Sequence, residues 1–136
     1  MSDSVDATLP WLTKALHDLE TARLVSSRED LLETAIYHCQ QAAEKAVKGF
    51  LVFHGIAFQK THDIAELLDN ASAIDPSLVQ LDEDALMLNP LSTKFRYPSN
   101  AWDDQPTAGE FAAALAACQR IYDFILSVLP QETHPG

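Results

Sequence analysis

Apolar residues recur every three or four positions along three long stretches of the chain, a spacing that predicts amphipathic helices. The first stretch covers residues 9–25, and Pro10 falls in its first turn, where proline is tolerated. The second covers residues 28–54 and is closed by Gly55, with Ser27 as its predicted N-cap. As the longest of the three, it is the predicted spine of the domain.

The third long stretch opens with a capping box, because Glu110 follows Thr107 at the required spacing. Its apolar positions continue to Leu129, and Pro130 stops the helix. The segment before it, residues 93–106, is polar, aromatic and bounded by prolines. That composition predicts a structured loop.

Two shorter helices are predicted between these long ones. Thr61 is the expected cap of a helix over residues 62–73. Asp75-Pro76, a capping residue followed by a first-turn proline, opens a further helix that ends at Leu88 or Leu91. Val, Ile and Thr never alternate with polar residues over a run long enough for a strand. The pattern therefore predicts an all-α fold, an up-and-down bundle of four to five helices.

The chain has 136 residues, of which 47 % are hydrophobic, and this suits one domain with a buried core. We assign the helical domain to residues 9–129 and expect residues 1–8 and 130–136 to be flexible. Alanines are frequent in the second and last long helices. Small side chains favour close packing of these two helices, and a leftover alanine face would suit a dimer interface.

Acidic residues outnumber basic ones by 20 to 9, which gives a net charge of −11. Such a field opposes general nucleic-acid binding but leaves room for a small local basic site. No apolar run approaches the roughly 20 residues of a membrane span, and the first residues lack the features of a secretory signal. Cys39 and Cys118 lie in apolar helical patterns and predict buried free thiols, which fits a cytoplasmic location.

One helix face in the middle of the chain is polar and partly basic. His38, Gln41, Lys45 and Lys48 are spaced by three or four residues and form one line along the second helix. An ordinary solvated face would look the same. In that interpretation Glu44 and Lys48 make a surface ion pair worth only about 0.3–0.5 kcal/mol.

Two other segments favour a ligand site. "KTHD" puts His62 at a helix N-terminus, where backbone amides attract anions. "KFRYPSN" puts Arg96 and Tyr97 just before a proline, where a guanidinium can hold phosphate and a phenol can stack on a base. Each also has an ordinary role, as a cap, a surface ion-pair partner or a core aromatic. If they meet the Lys45 line, the acidic protein contains one local cationic patch.

The combination of "YHCQQAAEKAVKGFL", Gly55, "KTHDIAELL" and "FRYPS" resembles the HEPN domain, the higher eukaryotes and prokaryotes nucleotide-binding domain. The resemblance extends from about Leu9 to Leu129. It implies a helical bundle, commonly a homodimer, with a cleft for nucleotide or RNA. It also implies a stand-alone bacterial type of protein, often encoded beside a minimal nucleotidyltransferase as a two-component or toxin–antitoxin pair.

Many members of that family are metal-independent endoribonucleases with an Arg followed, after four to six residues, by a His. Here the corresponding positions after Arg96 are Ala101, Trp102 and Asp103. Acid–base cleavage of RNA needs a group that titrates near neutral pH, usually His. The chain is therefore not expected to be catalytic. If it is, the candidates are Arg96, His62 and His38.

We thus expect a nucleotide-binding interaction protein, the partner of a minimal nucleotidyltransferase. A divergent RNA endonuclease and a non-catalytic helical scaffold are the alternatives. No metal site or cofactor is expected, because there is no HxxxH or HExxH pattern and no glycine-rich phosphate loop. The expected ligand-binding residues are His38, Gln41, Lys45, Lys48, His62, Arg96 and Tyr97.

Overall fold

The computed structural model describes residues 2–94 and 105–136, and the fold is all-α, as expected. Within these residues there are five helices of seven or more residues, one helix of four residues, and no strands. The helices are α1 (Ser2–Val25), α2 (Leu32–Phe53), α3 (Ile64–Ser72), α4 (Asp82–Leu88), α5 (Leu91–Lys94) and α6 (Ala108–Ser127). Most of the loop expected over residues 93–106 lies outside the described residues.

Helix α1 begins at Ser2, so the expected start at residue 9 was wrong. Val5 and Thr8 continue the inward-facing side of the helix by another two turns, and Thr8 is fully buried although it is polar. Its hydroxyl donates to the carbonyl of Ser4 at 2.6 Å, which lets a polar side chain occupy a core position. Pro10 consequently lies inside the helix at an exposed position, not in its first turn.

Helix α2 is the spine of the bundle, and both α1 and α6 pack along it. Its core positions are occupied by small and medium apolar side chains, with Phe50 as the largest. The alanine-rich α2 and α6 do contact each other, as their composition suggested. Helix α1, however, has the more extensive contact with α2, and its Trp11 and Leu12 lie against Gly49.

Some helix ends differ from the expected caps. A short 3-10 turn, Glu29–Leu31, precedes α2, and Ser27 instead donates its hydroxyl to the Leu24 carbonyl at the end of α1. The cap of α3 is Asp63, whose carboxylate accepts from the backbone N–H of Glu66. The Thr61 hydroxyl instead accepts from the backbone N–H of Asp63, the residue before the helix. A two-residue shift of this kind arises because Thr and Asp are both good caps.

Other ends are as expected. Asp75 caps the 3-10 turn Pro76–Leu81 that leads into α4. Gly55 adopts φ +69° after α2, a conformation that favours glycine. Thr107 and Glu110 exchange two 3.0 Å hydrogen bonds in the capping box. The backbone N–H of Thr107 thereby lowers the pKa of Glu110, and the Lys94 ammonium adds to the shift.

The segment after α6 packs on the bundle, whereas a flexible tail was expected. Thr133 is fully buried in a 3-10 turn that contacts α1. The His134 ring nitrogen Nε2 lies 2.8 Å from the carbonyl oxygen of Leu126. With a proton on Nε2, His134 satisfies one of the carbonyls that a helix C-terminus leaves without a partner.

Cys39 and Cys118 are buried free thiols on facing helices, as expected. Hydrogen bonding with Cys39 and burial raise the pKa of the Cys118 thiol far above its ordinary value. Because the thiolate is the reactive form, these two side chains belong to the core and not to a reactive site.

Gly49 provides the first test of the fold, at the α1–α2 contact. A Cβ at this position would lie 3.1 Å from Leu12 Cδ2 and 3.2 Å from the Trp11 Cβ. We expect Gly49→Leu to lower the free energy of unfolding by about 1–3 kcal/mol, because the larger side chain forces α1 away from α2. Urea denaturation followed by circular dichroism measures the change.

Gly109 in the first turn of α6 is the matched control, since a Cβ there meets only Thr107 Oγ1, at 3.8 Å. Gly109→Ala should leave stability unchanged or raise it by up to about 1 kcal/mol. Equal effects of Gly49→Leu and Gly109→Ala would contradict the close α1–α2 contact.

Candidate functional site

The polar line of α2 lies partly against α1, where one carboxylate holds two of its members. Asp18, from α1, lies 2.6 Å from Lys45 Nζ and 2.8 Å from His38 Nδ1. The Asp18 side chain is only 11 % exposed. Lys45 and His38 are about a quarter exposed. Their positions on α2 are therefore set by a charge on a different helix.

A second carboxylate holds the other end of the line. Glu44 lies 2.9 Å from Lys48 Nζ and 3.0 Å from His62 Nδ1. The Glu44 and Lys48 side chains are only 4 % and 10 % exposed. The expected pairing at i,i+4 is present, but the surface value of roughly 0.3–0.5 kcal/mol does not apply to it. For a buried pair, removing one partner leaves an uncompensated charge in the core.

Two glutamines connect the segment before α3 to the polar line. Gln41 donates through Nε2 to the Gln40 side-chain oxygen at 3.0 Å, and Gln40 donates to the backbone carbonyl of His62 at 3.2 Å. His62 is thus held through both its backbone and its ring. The chain folds so that His62 meets α2 near Lys48, although they are well separated in sequence.

The His62 side chain is 79 % exposed in spite of its contact with buried Glu44. An Nδ1–H that donates to Glu44 leaves Nε2 as the nitrogen that faces solvent and can accept a proton or a hydrogen bond. Carboxylate–imidazole pairs of this kind fix both the tautomer and the orientation of the ring. His62 is therefore an oriented and accessible imidazole.

The anion-attracting helix N-terminus expected beside His62 is already occupied by side chains of the protein. The backbone N–H of Ile64 donates to the Asn89 side-chain oxygen at 2.8 Å, and that of Glu66 donates to Asp63. Asp63 also accepts from the Asn89 amide, so a carboxylate stands at this terminus. These amides are therefore satisfied within the chain, and spacing along the sequence does not reveal that Asn89 folds back onto α3.

Asp18, Glu44 and Gln40 are the residues that the sequence interpretation missed as organisers of the site. The signal is present in the apolar periodicity of α1, because Asp18 falls in the buried row that includes Ala15 and Ala22. Gln40 and Glu44 likewise occupy buried positions of α2. A carboxylate in an apolar stripe indicates a buried charge that needs a partner.

The two clusters balance their charges internally. Each combines one carboxylate with one lysine and one histidine, so the lysines add no net positive charge. Lys45 and Lys48 therefore do not supply the cationic patch that was expected along this line. Arg96 and Tyr97 lie outside the described residues. Among residues 2–94 and 105–136, no group of three or more His, Cys, Asp or Glu side chains is arranged to hold a metal ion.

The Glu44–Lys48 pair can be tested by its energetic cost. We expect Lys48→Met to lower the free energy of unfolding by about 3 kcal/mol, because Glu44 is left buried without its lysine partner. The double change Glu44→Gln with Lys48→Met should recover most of this loss, since no charge is then buried alone. Urea unfolding of the wild type, the single variants Glu44→Gln and Lys48→Met, and the double variant forms a double-mutant cycle.

Arg28 and Asp30 offer a matched control, because they form an ion pair at 2.6 Å in which both side chains are 64 % exposed. Arg28→Met should have no measurable effect on stability. If Lys48→Met lowers the free energy of unfolding no more than Arg28→Met does, burial of the Glu44–Lys48 pair does not make the loss of one partner more costly.

Comparison with known proteins agrees with this architecture. The family model of the HEPN domain matches residues 9–128. The chain is similar to ST0689, an archaeal HEPN homologue, with 31 % identity over 88 % of this chain and 95 % of that one and a TM-score of 0.70. It is also similar to TT1696 from Thermus thermophilus, with 28 % identity, 90 % and 98 % coverage, and a TM-score of 0.71.

No curated protein matches the sequence. Within the described residues, no helix is both long enough and apolar enough to cross a membrane. The family match covers most of the chain, and the fold is that of a HEPN homologue. The protein therefore belongs to the HEPN domain family.

Proposed function

We propose that the protein is a nucleotide-binding interaction protein, and that the nucleotide contacts the side of α2 where His62 meets the polar line. The observation that carries this proposal is the Glu44 cluster, in which an accessible imidazole and Lys48 share one buried carboxylate. An oriented imidazole can donate to phosphate when protonated and accept from a ribose hydroxyl when neutral.

In this proposal some of the residues contact the nucleotide and others hold those residues in place. His62 and Arg96 contact the phosphates, and Tyr97 stacks on the base. Lys45 and His38 contribute through the exposed part of their side chains, while Gln41 supports them by its hydrogen bond to Gln40. Lys48 is too deeply buried to act as a free point charge, and it keeps Glu44 in place.

We further propose that the protein works as a homodimer and with a minimal nucleotidyltransferase. Support comes from the HEPN family resemblance. A structural feature in keeping with self-association is the exposed alanine row of α6, Ala112, Ala113 and Ala116, over which another helix can approach closely.

Isothermal titration calorimetry with ATP, GTP and ADP up to millimolar concentration tests nucleotide binding. We expect wild type to bind, and both His62→Ala and Arg96→Ala to weaken the affinity about tenfold, the usual effect of losing a hydrogen bond to a charged group. His17→Ala is the control, because His17 is an exposed histidine on α1 outside both clusters. Absence of binding by the folded wild type would leave the scaffold alternative.

One observation also favours a second function, a divergent metal-independent RNA endonuclease. The buried Glu44 carboxylate orients His62 and leaves Nε2 accessible, which is the geometry of a general base supported by a carboxylate. His62 would then replace the histidine that is missing after Arg96. His38 is a weaker substitute, because its imidazole shares Asp18 with the lysine ammonium of Lys45 and is less exposed.

Incubation with mixed RNA in the presence of a chelator tests the nuclease. If the second function holds, His62→Ala should lower the cleavage rate by about 10²-fold or more, and Glu44→Gln by a smaller factor. His38→Ala should retain cleavage. Cleavage that survives His62→Ala, His38→Ala and Arg96→Ala alike would come from a contaminant, and no cleavage by wild type would leave binding alone.

A further inference from the structure

A groove with a volume of about 610 Å³ lies where α4 and the turn before it face α6. Its floor is apolar, with Leu81 buried and Phe124 half-buried. Its sides carry Glu83 from α4 and Asp123 from α6. None of the residues that line it belongs to the candidate nucleotide site. A surface distinct from that site is thus available for another molecule.

Among residues 2–94 and 105–136, two carboxylates of the groove have no compensating charge. Asp84 is matched by Arg120, whose Nε and Nη2 atoms lie 3.0 and 2.7 Å from its two oxygens. Glu83 has no hydrogen bond or ion pair with any described residue. In the same part of the chain, Asp123 accepts only from the neutral amide of Gln119, at 2.8 Å. The net field of the groove is therefore negative, and it opposes nucleic acid and phosphate.

Apolar surface continues beyond the groove. Val79, next to the lining residue Gln80, is 54 % exposed, and Leu86, one helical turn after Glu83, is 63 % exposed. Leu86 and Glu83 are three residues apart and share a face of α4, so an apolar and an acidic side chain lie side by side at this edge of the groove. A complementary partner has positive charges next to apolar side chains, which is the pattern of a basic amphipathic helix.

A second copy of this chain fits such a groove poorly. The chain carries 20 acidic and 9 basic residues, so a second copy brings little positive charge to this groove. Several of its basic side chains are already held in ion pairs, including Lys45, Lys48 and Arg120. A different protein is the better source of the positive charge. We propose that the α4–α6 groove docks a basic amphipathic helix of a different protein.

The test uses a fluorescein-labelled lysine–leucine peptide, about 18 residues long because shorter helices are marginal in water, with leucines at helical spacing. Fluorescence anisotropy is measured in roughly 0.15 M salt. We expect the peptide to bind, and a glutamate–leucine peptide of the same pattern not to bind. Glu83→Gln with Asp123→Asn should weaken binding by about tenfold or more, as should Val79→Ser with Leu86→Ser.

Asp6→Asn with Asp69→Asn is the matched control, since both residues are exposed on other helices and the change in net charge is the same. It should alter the affinity by less than about twofold. The proposal would be overturned if the groove variant and the control variant weakened peptide binding equally, or if the lysine–leucine peptide did not bind. Sedimentation provides a further test. If the wild type is a dimer and Val79→Ser with Leu86→Ser dissociates it, a second copy covers the groove and the proposal is overturned. The affinity of the same variants for ATP should be unchanged.

Discussion

The buried carboxylate of Glu44 is the interaction on which the arrangement around α2 depends. A charge removed from water must find partners close by, and the partners here are Lys48 on the same helix and His62 from the segment before α3. Asp18 does the same for α1 through Lys45 and His38. The apolar core brings the helices together, but these two carboxylates determine which polar side chains face each other.

The fold was predictable because it rests on local signals. Periodicity located the long helices, and the capping box of α6, the Asp75 cap and the Gly55 stop were all confirmed. The early start of α1 was missed because a polar residue can satisfy itself locally. Thr8 adds no apolar signal ahead of residue 9, yet its hydroxyl bonds to the preceding turn and allows it to be buried.

The site was less predictable, because its contacts connect residues that are distant in sequence. Spacing shows that His38 and Lys45 share a face of α2, but it does not show that Asp18 lies opposite them. The same limit applies to Asn89, which occupies the N-terminus of α3 from the far end of α4. Family resemblance supplied the kind of ligand, and the structure adds that the two lysines of the line are already compensated.

The contact at Gly49 has a mechanical consequence. A Cβ at Gly49 would lie 3.1 Å from Leu12 Cδ2 and 3.2 Å from the Trp11 Cβ. The residues one turn away on the same face of α2 are Lys45 and Phe53, whose side chains are far larger. An axial slide of α1 by one turn would bring one of these side chains to the place of Gly49. Residues 54–63 leave α2 at Gly55 and return to it through His62 and the Phe58 ring. The side chain that is absent at Gly49 therefore fixes the axial register of the helix pair on which this segment rests.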